Sequence, residues 1–524
     1  MSHCPASLPK GPRPLTSLSM TGLWILVIVA GLLALGSVWA LPPNDLWWHA
    51  RVGSDILDSG HIPRHDIYSL TERGQPFYYQ SWLAEVLVAG LLRLGGLRLL
   101  VFVRALITAG LFGAVMRLCL QAGEGERGAA IPATLSAILL GVSNQTVRPQ
   151  LFAYPLFITV YALLWRYRRG QGGRSVWLVP VLTAVWVNMH GSFALGVMLI
   201  WLVFLGELLG YALPTLGGGR ASKRAETREG LRTLALVALL STVVVLINPR
   251  GVGIVSYVAD LLTDAPCQSL GVEWQPLDPK AGLGIIFYPM FLLMVAALAL
   301  ARPPVALTDL LLVLVFAWLG ISGLRYVVWF GLVSAPVLAE ALLHFSKEDW
   351  LRWRGRLARH PLGRRLIYRD PRGYPGFRRI VVAGAIVPLL VVGGFFLFHP
   401  DDDLWLTNNT GTAVVDFMER SGVQGRLFNE LVRGSYLIWR LGPAQPVFID
   451  PRFELYSLEH FEVYLALSDA EGDVAVLLAE YDFELLLLDR EWQAGLIEFV
   501  DGEPERWRRI YEDEYVLLYQ RVEE

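Results

Sequence analysis

Apolar residues fill this chain in long runs separated by short polar turns. Runs near the ~20 residues that cross hydrocarbon occur at 21–41, 81–97, 99–120, 129–146, 150–166, 175–190, 192–212, 231–248, 284–301, 305–323, 326–345 and 380–398. Their length excludes soluble core helices as the main explanation and predicts a polytopic helical bundle. The first run follows Lys10 and Arg13, and Ser37–Ala40 loosely resembles a cleavage site. It is longer than a signal-peptide core, so it reads as a retained span.

Arginine and lysine in the turns set the expected orientation. Arg166, Arg168, Arg169 and Arg174 mark one cytoplasmic loop, and Arg220, Lys223, Arg224, Arg228 and Arg232 a second. The strongest is the basic loop 346–379, which holds Arg352, Arg354, Arg356, Arg359, Arg364, Arg365, Arg369, Arg372, Arg378 and Arg379. This places a tail, 1–20, in the cytoplasm, an outer loop at 42–80 and the residues 400–524 outside. An inside N-terminus with an outside C-terminus needs an odd number of crossings, and twelve runs do not supply one. Either a run between 81 and 146 lies flat, or 251–265 hides a further partial span; 11–13 crossings are expected.

In the outer loop, Trp48, Val52 and Ile56 recur at helical spacing, with His49, Arg51 and Asp55 between them. This predicts a helix lying at the headgroup boundary, ended by Ser59-Gly60 and Pro63. Residues 400–524 alternate differently. Arg426–Phe428, Val447–Ile449 and Glu484–Leu488 read as buried strands, and Val414–Arg420, Ser435–Leu441 and Leu458–Ala466 as helices. Trp507–Tyr511 and Tyr515–Gln520 read as a closing hairpin, giving a small α/β domain.

Composition agrees with a membrane protein. The chain of 524 residues is 54% hydrophobic and 18% charged, against about 25% charged in a soluble domain. The net charge of −2 hides an asymmetry, since 400–524 hold 27 acidic and 10 basic residues. The arginines punctuate apolar runs rather than forming a patch, which argues against a nucleic-acid partner. Cys4, Cys119 and Cys267 offer neither a disulfide framework nor a metal pattern.

Ionisable groups at membrane depth are costly, which makes those near outer helix ends candidates for chemistry. Asp45 follows the first span directly; it reads as a partly desolvated proton acceptor or as an N-cap, and both roles can coexist. His65-Asp66 offers a metal or sugar ligand, or a solvated turn. Glu85 faces a polar interior rather than lipid. Arg148, in Asn144–Gln150, suits bidentate phosphate binding or snorkelling to the surface. His190 is a ligand or a packed, hydrogen-bonded residue. Glu273 can approach Asp45 or a cation, Arg325 is a second phosphate candidate, and Asp450 with Arg452 reads as an intradomain salt bridge or a partner site. Asp45, Arg148, His190, Glu273 and Arg325 all map to the outer side, the signature of a shared polar cavity.

Pro43–His49 resembles the start of the first external loop in GT-C glycosyltransferases, the group of the protein mannosyltransferases and lipid A aminoarabinose transferases. Asp58-Ser59-Gly60 and Ser81–Glu85 continue that pattern. The whole chain resembles a bacterial group of multi-spanning proteins allied to it, through Asp45–His49, Arg148–Gln150, Asn188–Gly191, Asn248-Pro249, Glu273-Trp274, Phe428-Asn429, Gly434–Trp439 and Phe448–Arg452.

The resemblance implies a GT-C-like transmembrane domain over 21–399 in a bacterial inner membrane. It also implies inverting transfer of a sugar from a polyprenyl-phosphate donor to a glycan, lipid or protein acceptor outside. Carried over, Asp45 would be the general base; from the reading of the residues themselves, Arg148, Arg325, His190, Glu273, His49 and Asp66 are the candidates to bind substrate or phosphate. Many members carry a second acid in the next external loop, where this chain has Asn144, Gln145 and Arg148. No cofactor is therefore implied, and a divalent metal is possible but unsupported. A lipid or anionic-solute transporter and a non-catalytic envelope assembly protein are the alternative functions.

Overall fold

The computed structural model describes residues 20–213, 227–302, 304–343, 355–356, 359, 377–398 and 405–522. Most of the basic loop 346–379 and the tail 1–20 lie outside the described residues, as do Arg220, Lys223 and Arg224.

The N-terminal part is a helical bundle: α1 (Met20–Val38), α2 (Leu46–Ser59), α3 (Trp82–Ala122), α4 (Arg127–Gly141), α5 (Pro149–Arg168), α6 (Leu178–Trp186), α7 (Phe193–Ala212) and α8 (Arg228–Val243). The short α9 (Gly253–Thr263) and α10 (Ala265–Leu270) follow, then α11 (Gly284–Leu300), α12 (Leu307–Ser322), α13 (Val327–Leu343) and α14 (Phe377–Phe398). Among the described residues, five helical segments are long and apolar enough to cross a membrane: Trp82–Ala122, Phe193–Ala212, Arg228–Leu246, Leu324–Leu343 and Arg379–Phe396. Shorter apolar helices pack among them, including α4, α11 and α12.

The runs 81–97 and 99–120 are joined into α3 but broken by Gly95 and Gly96, which leave helical geometry (Gly96 φ 62°, ψ −161°). Only glycine adopts that conformation without strain. The segment before the break turns away to pack along α2. There Gly53 permits contact, since a Cβ on it would lie 2.0 Å from the Glu85 carbonyl oxygen. The run 175–190 is also broken, into a 3-10 turn (Gly173–Trp177) and the nine-residue α6.

Arg168, expected as a loop anchor, is instead buried, paired with Glu207 of α7 and with Asp309 of α12 (Nη1–Oδ1 2.6 Å). Thr308 Oγ1 donates to Glu207 at 2.7 Å. With both carboxylates supplied by neighbouring helices, a guanidinium there need not reach water.

The C-terminal part holds β1 (Leu427–Asn429), β2 (Leu485–Asp489), β3 (Trp507–Glu512) and β4 (Val516–Arg521) in the order β1-β2-β4-β3, with β1 parallel to β2 and the other pairs antiparallel. Around them lie α15 (Thr412–Ser421), α16 (Leu431–Leu441), α17 (Leu458–Ser468), α18 (Val474–Glu480) and α19 (Ala494–Asp501). The architecture is thus a polytopic helical bundle with a small α/β domain. The expected strand at 447–449 is not one. Val447 makes only isolated bridges, to Ser69 and Leu427. Asn429 competes for the backbone beyond it: its Oδ1 accepts from Phe448 N (2.8 Å) and its Nδ2 donates to Ile449 O (2.8 Å).

The two parts share a core. Leu41 pairs with Trp405 and Thr407 through backbone hydrogen bonds (2.7 and 3.1 Å); Val447 N donates to Tyr68 O (3.0 Å) and Val447 O accepts from Leu70 N (2.7 Å). Ser435 Oγ donates to Asn44 O (2.7 Å) and accepts from Trp48 N (3.0 Å). Trp47 meets Tyr436 edge-on at 5.1 Å. Helix α2 therefore buries Trp47, His49 and Ala50 as well as its predicted stripe. Its second face is covered by α16 of the C-terminal part, a contact that local periodicity cannot reveal.

Candidate functional site

Between α2, α5, α7, the 257–274 segment and the C-terminal part lies a cavity of about 500 Å³. Asp45, His49, Arg148, His190, Glu273 and Arg325 all line it. Each sits where a helix begins or a turn closes: Asp45 precedes α2, Arg148 precedes α5, and His190 occupies the α6–α7 turn. Polar groups at such ends can face a wet hollow while the apolar helices behind them satisfy the core.

Arg148 bridges two acids. Its Nε lies 3.4 Å from Asp45 Oδ2, and its Nη1 pairs with Glu273. Asp45 makes no side-chain cap bond to α2, so the N-cap reading fails; Asn44 Oδ1 takes Leu46 N instead, at 3.0 Å. The Asp45 side chain is 27% exposed, and that exposure is to the cavity. Burial raises its pKa above the ordinary range, against the pull of Arg148.

Arg325 lies over the Trp274 ring at 3.9 Å, a cation-π contact, and forms no carboxylate pair among the described residues. His190 Nδ1 accepts from Ser192 N (3.0 Å) and lies 2.9 Å from Ser192 Oγ. Since a backbone N–H can only donate, the neutral ring carries its proton on Nε2. Burial, with Arg325 and Arg148 near, lowers the His190 pKa to about 3, so the ring is neutral. His49 Nδ1 lies 2.9 Å from Glu85 Oε1, and burial likewise holds His49 well below its ordinary value.

Asp66 does not reach the cavity. It is fully buried one layer back, paired with Arg452, while its Oδ2 accepts from Ser69 N at 2.9 Å. Burial pushes its pKa up, but Arg452 and the two hydrogen bonds from Ser69 together outweigh this and hold it below the ordinary range. His65 remains exposed.

The larger surprise is Arg452. The expected pair with Asp450 forms (Nε–Oδ1 2.8 Å, Nη2–Oδ2 2.7 Å), the same guanidinium reaches Asp66, and the residue stands in the wall of the cavity. Glu454 beside it also lines the cavity. Sequence supplied one signal, the Asp450-Pro451-Arg452 block, but nothing local placed it against the loop 42–80. Among the described residues no group of three or more His, Cys, Asp or Glu side chains is arranged to hold a metal ion.

No protein-family model matches the chain, and no curated protein matches it in sequence. Solved structures do match in fold. The Archaeoglobus fulgidus oligosaccharyltransferase tethered to an acceptor peptide is 11% identical, with a TM-score of 0.55, over 96% of this chain and 74% of that one. The same organism's AglB, in complex with an inhibitory peptide and a dolichol-phosphate, gives 0.54 at 11% identity, again over 96% and 74%. ArnT from Cupriavidus metallidurans bound to undecaprenyl phosphate gives 0.53 at 12% identity, over 96% of this chain and 99% of that one. The chain therefore has the fold of the GT-C membrane glycosyltransferases.

Proposed function

We propose that this protein is a membrane glycosyltransferase that moves a sugar, with inversion, from a polyprenyl-phosphate donor to an extracytoplasmic acceptor. One observation carries the reading: six ionisable side chains from five separate stretches of sequence converge on one cavity, in a fold whose solved examples include proteins bound to undecaprenyl phosphate and to dolichol-phosphate.

Asp45 is the general base. Its raised pKa makes it a better proton acceptor than an ordinary carboxylate. It takes the acceptor hydroxyl's proton as that oxygen attacks the anomeric carbon, and the bond to the lipid phosphate breaks with its electrons. Arg325, free of carboxylates among the described residues, and the Nε2–H of His190 face the charge that develops on the phosphate. Arg148, shared between Asp45 and Glu273, sets the distance between base and anion seat. Asp66 acts at one remove, by holding Arg452.

The break at Gly95-Gly96 supports an orientation as well. If the 82–94 segment lies beside α2 without crossing, eleven runs remain to cross. An odd number puts the termini on opposite sides, and the arginine-rich turns then put the N-terminus in the cytoplasm and the C-terminal domain, 400–524, outside a bacterial inner membrane.

The test uses the full chain in detergent, with undecaprenyl phosphate titrated as ligand and transfer followed from labelled undecaprenyl-phosphate sugars. Asp45→Asn is expected to keep lipid binding and lose transfer by at least ~100-fold. Full transfer in that variant, or no lipid binding by the wild type, would overturn the proposal.

A further inference from the structure

His49 stands one helical turn after Asp45 and lines the same cavity. Its Nδ1 is taken up by Glu85 Oε1 at 2.9 Å, so Nε2 is the nitrogen left for the cavity. Glu85 comes from the α3 segment before the glycine break. It has no exposed surface and makes no ion pair with a lysine or arginine among the described residues. Its second oxygen, Oε2, is buried without a hydrogen-bond partner.

Two wirings of this pair are open to chemistry. If Glu85 is a carboxylate, it accepts from Nδ1–H, and Nε2 shows the cavity a lone pair. If Glu85 is the neutral acid, it donates to Nδ1, and Nε2 carries the proton outward. Glu85 has no exposed surface and one oxygen unpaired, and this burial outweighs the more distant attraction of Arg452, so the carboxylate is the costlier form. Transfer of the Glu85 proton to His49 is also opposed. Burial, together with His190, Arg148 and Arg452 nearby, holds the ring neutral.

We propose that Glu85, as a neutral carboxylic acid, fixes His49 as a hydrogen-bond donor, through Nε2–H, to the phosphate of the lipid carrier. This rests on the carrier reading above and adds a residue pair to its anion seat. His190 reaches the same tautomer by another device, the Ser192 N–H on its Nδ1. Two neutral imidazoles thus turn N–H groups toward an anion without adding charge. The opposite wiring would set a lone pair against a phosphate oxygen and repel it.

The tautomer can be read directly from 15N spectra of ring-labelled histidine in the full-length protein, with the His49 signal assigned by its loss in His49→Phe. The expected pattern is a bare Nδ1 and a protonated Nε2. Undecaprenyl phosphate titration supplies the second readout. His49→Phe should weaken binding about tenfold or more, the worth of a hydrogen bond to a charged group. Glu85→Gln, whose amide N–H also donates to Nδ1, should keep the tautomer and bind within about threefold of wild type. Glu85→Leu, similar in volume, should lose both. A protonated Nδ1 in the wild type, or Glu85→Gln as weak as His49→Phe, overturns the inference while the carrier reading stands. A wild type that does not bind undecaprenyl phosphate overturns both.

Discussion

Arg452 and Asp66 lie 386 positions apart in sequence, yet both are fully buried and joined as an ion pair across the seam between the loop 42–80 and the C-terminal domain. Asp450 completes the set, and Tyr456 Oη donates to it at 2.6 Å. Arg452 also faces the rings of Phe77 and Tyr68 at 5.3 and 5.5 Å. Such a triad contributes little net stability against an apolar replacement, because desolvation offsets attraction; removing one member is far more costly. Its value is register, since it docks correctly only when loop and domain are aligned.

Arg452→Met should therefore destabilise the protein by about 3–5 kcal/mol, because Asp66 and Asp450 are left facing each other unpaired. Arg452→Met combined with Asp66→Leu and Asp450→Asn should recover much of that loss. Thermal unfolding of the three forms in one detergent checks it. Equal melting temperatures for the single variant and the wild type would refute the role of the triad.

Gly53→Ala tests the crossing of α2 and α3. A new Cβ there meets backbone, the Glu85 carbonyl, so the helices must part rather than a side chain rotate. Overpacking of this kind costs about 1–3 kcal/mol. It should also loosen the His49–Glu85 contact, visible as a changed His49 ring signal.

Arg148→Gln probes the base. Burial raises the Asp45 pKa and Arg148 lowers it, so removing the cation leaves Asp45 higher still, with Glu273 adding to the rise. The acid limb of the transfer pH profile should move to higher pH in this variant. A limb that stays put or moves down would disconnect Asp45 from the reaction.

Stability should also fall with acidity. The His190 pKa is depressed from 6.5 to about 3 in the folded state, so below 6.5 the unfolded chain binds the extra proton and gains. That contribution is complete above pH ~6.5 and is lost as pH falls toward 3. His49 acts in the same direction. Melting temperatures measured between pH 7 and 4 should drop, and less steeply in His190→Asn.

Much of this molecule was readable before any coordinates. The apolar runs, the polar turns at their ends and the helix after Asp45 depend on local pattern and on the cost of charge in hydrocarbon. The same cost singled out Asp45, Arg148, His190, Glu273 and Arg325, because each stood near the end of an apolar run. The hairpin at 507–520 was legible for a similar reason, a mixed strand and an apolar one around an acidic turn.

What tertiary structure alone decided are the relationships across distance. Asp66 sits in a stretch that reads as a solvated turn until a guanidinium 386 residues away fills its pocket. Val447–Ile449 has strand residues, but Asn429 takes the backbone groups a ladder would need. The runs 81–97 and 99–120 are legible as two, but that they join in one helix broken at Gly95-Gly96, with the first part against Gly53, is visible only in the structure. Local composition determined which groups could not remain in lipid. The three-dimensional meeting of chain segments determined which of them face one another, since a hydrogen bond or ion pair between distant residues leaves no period in the sequence.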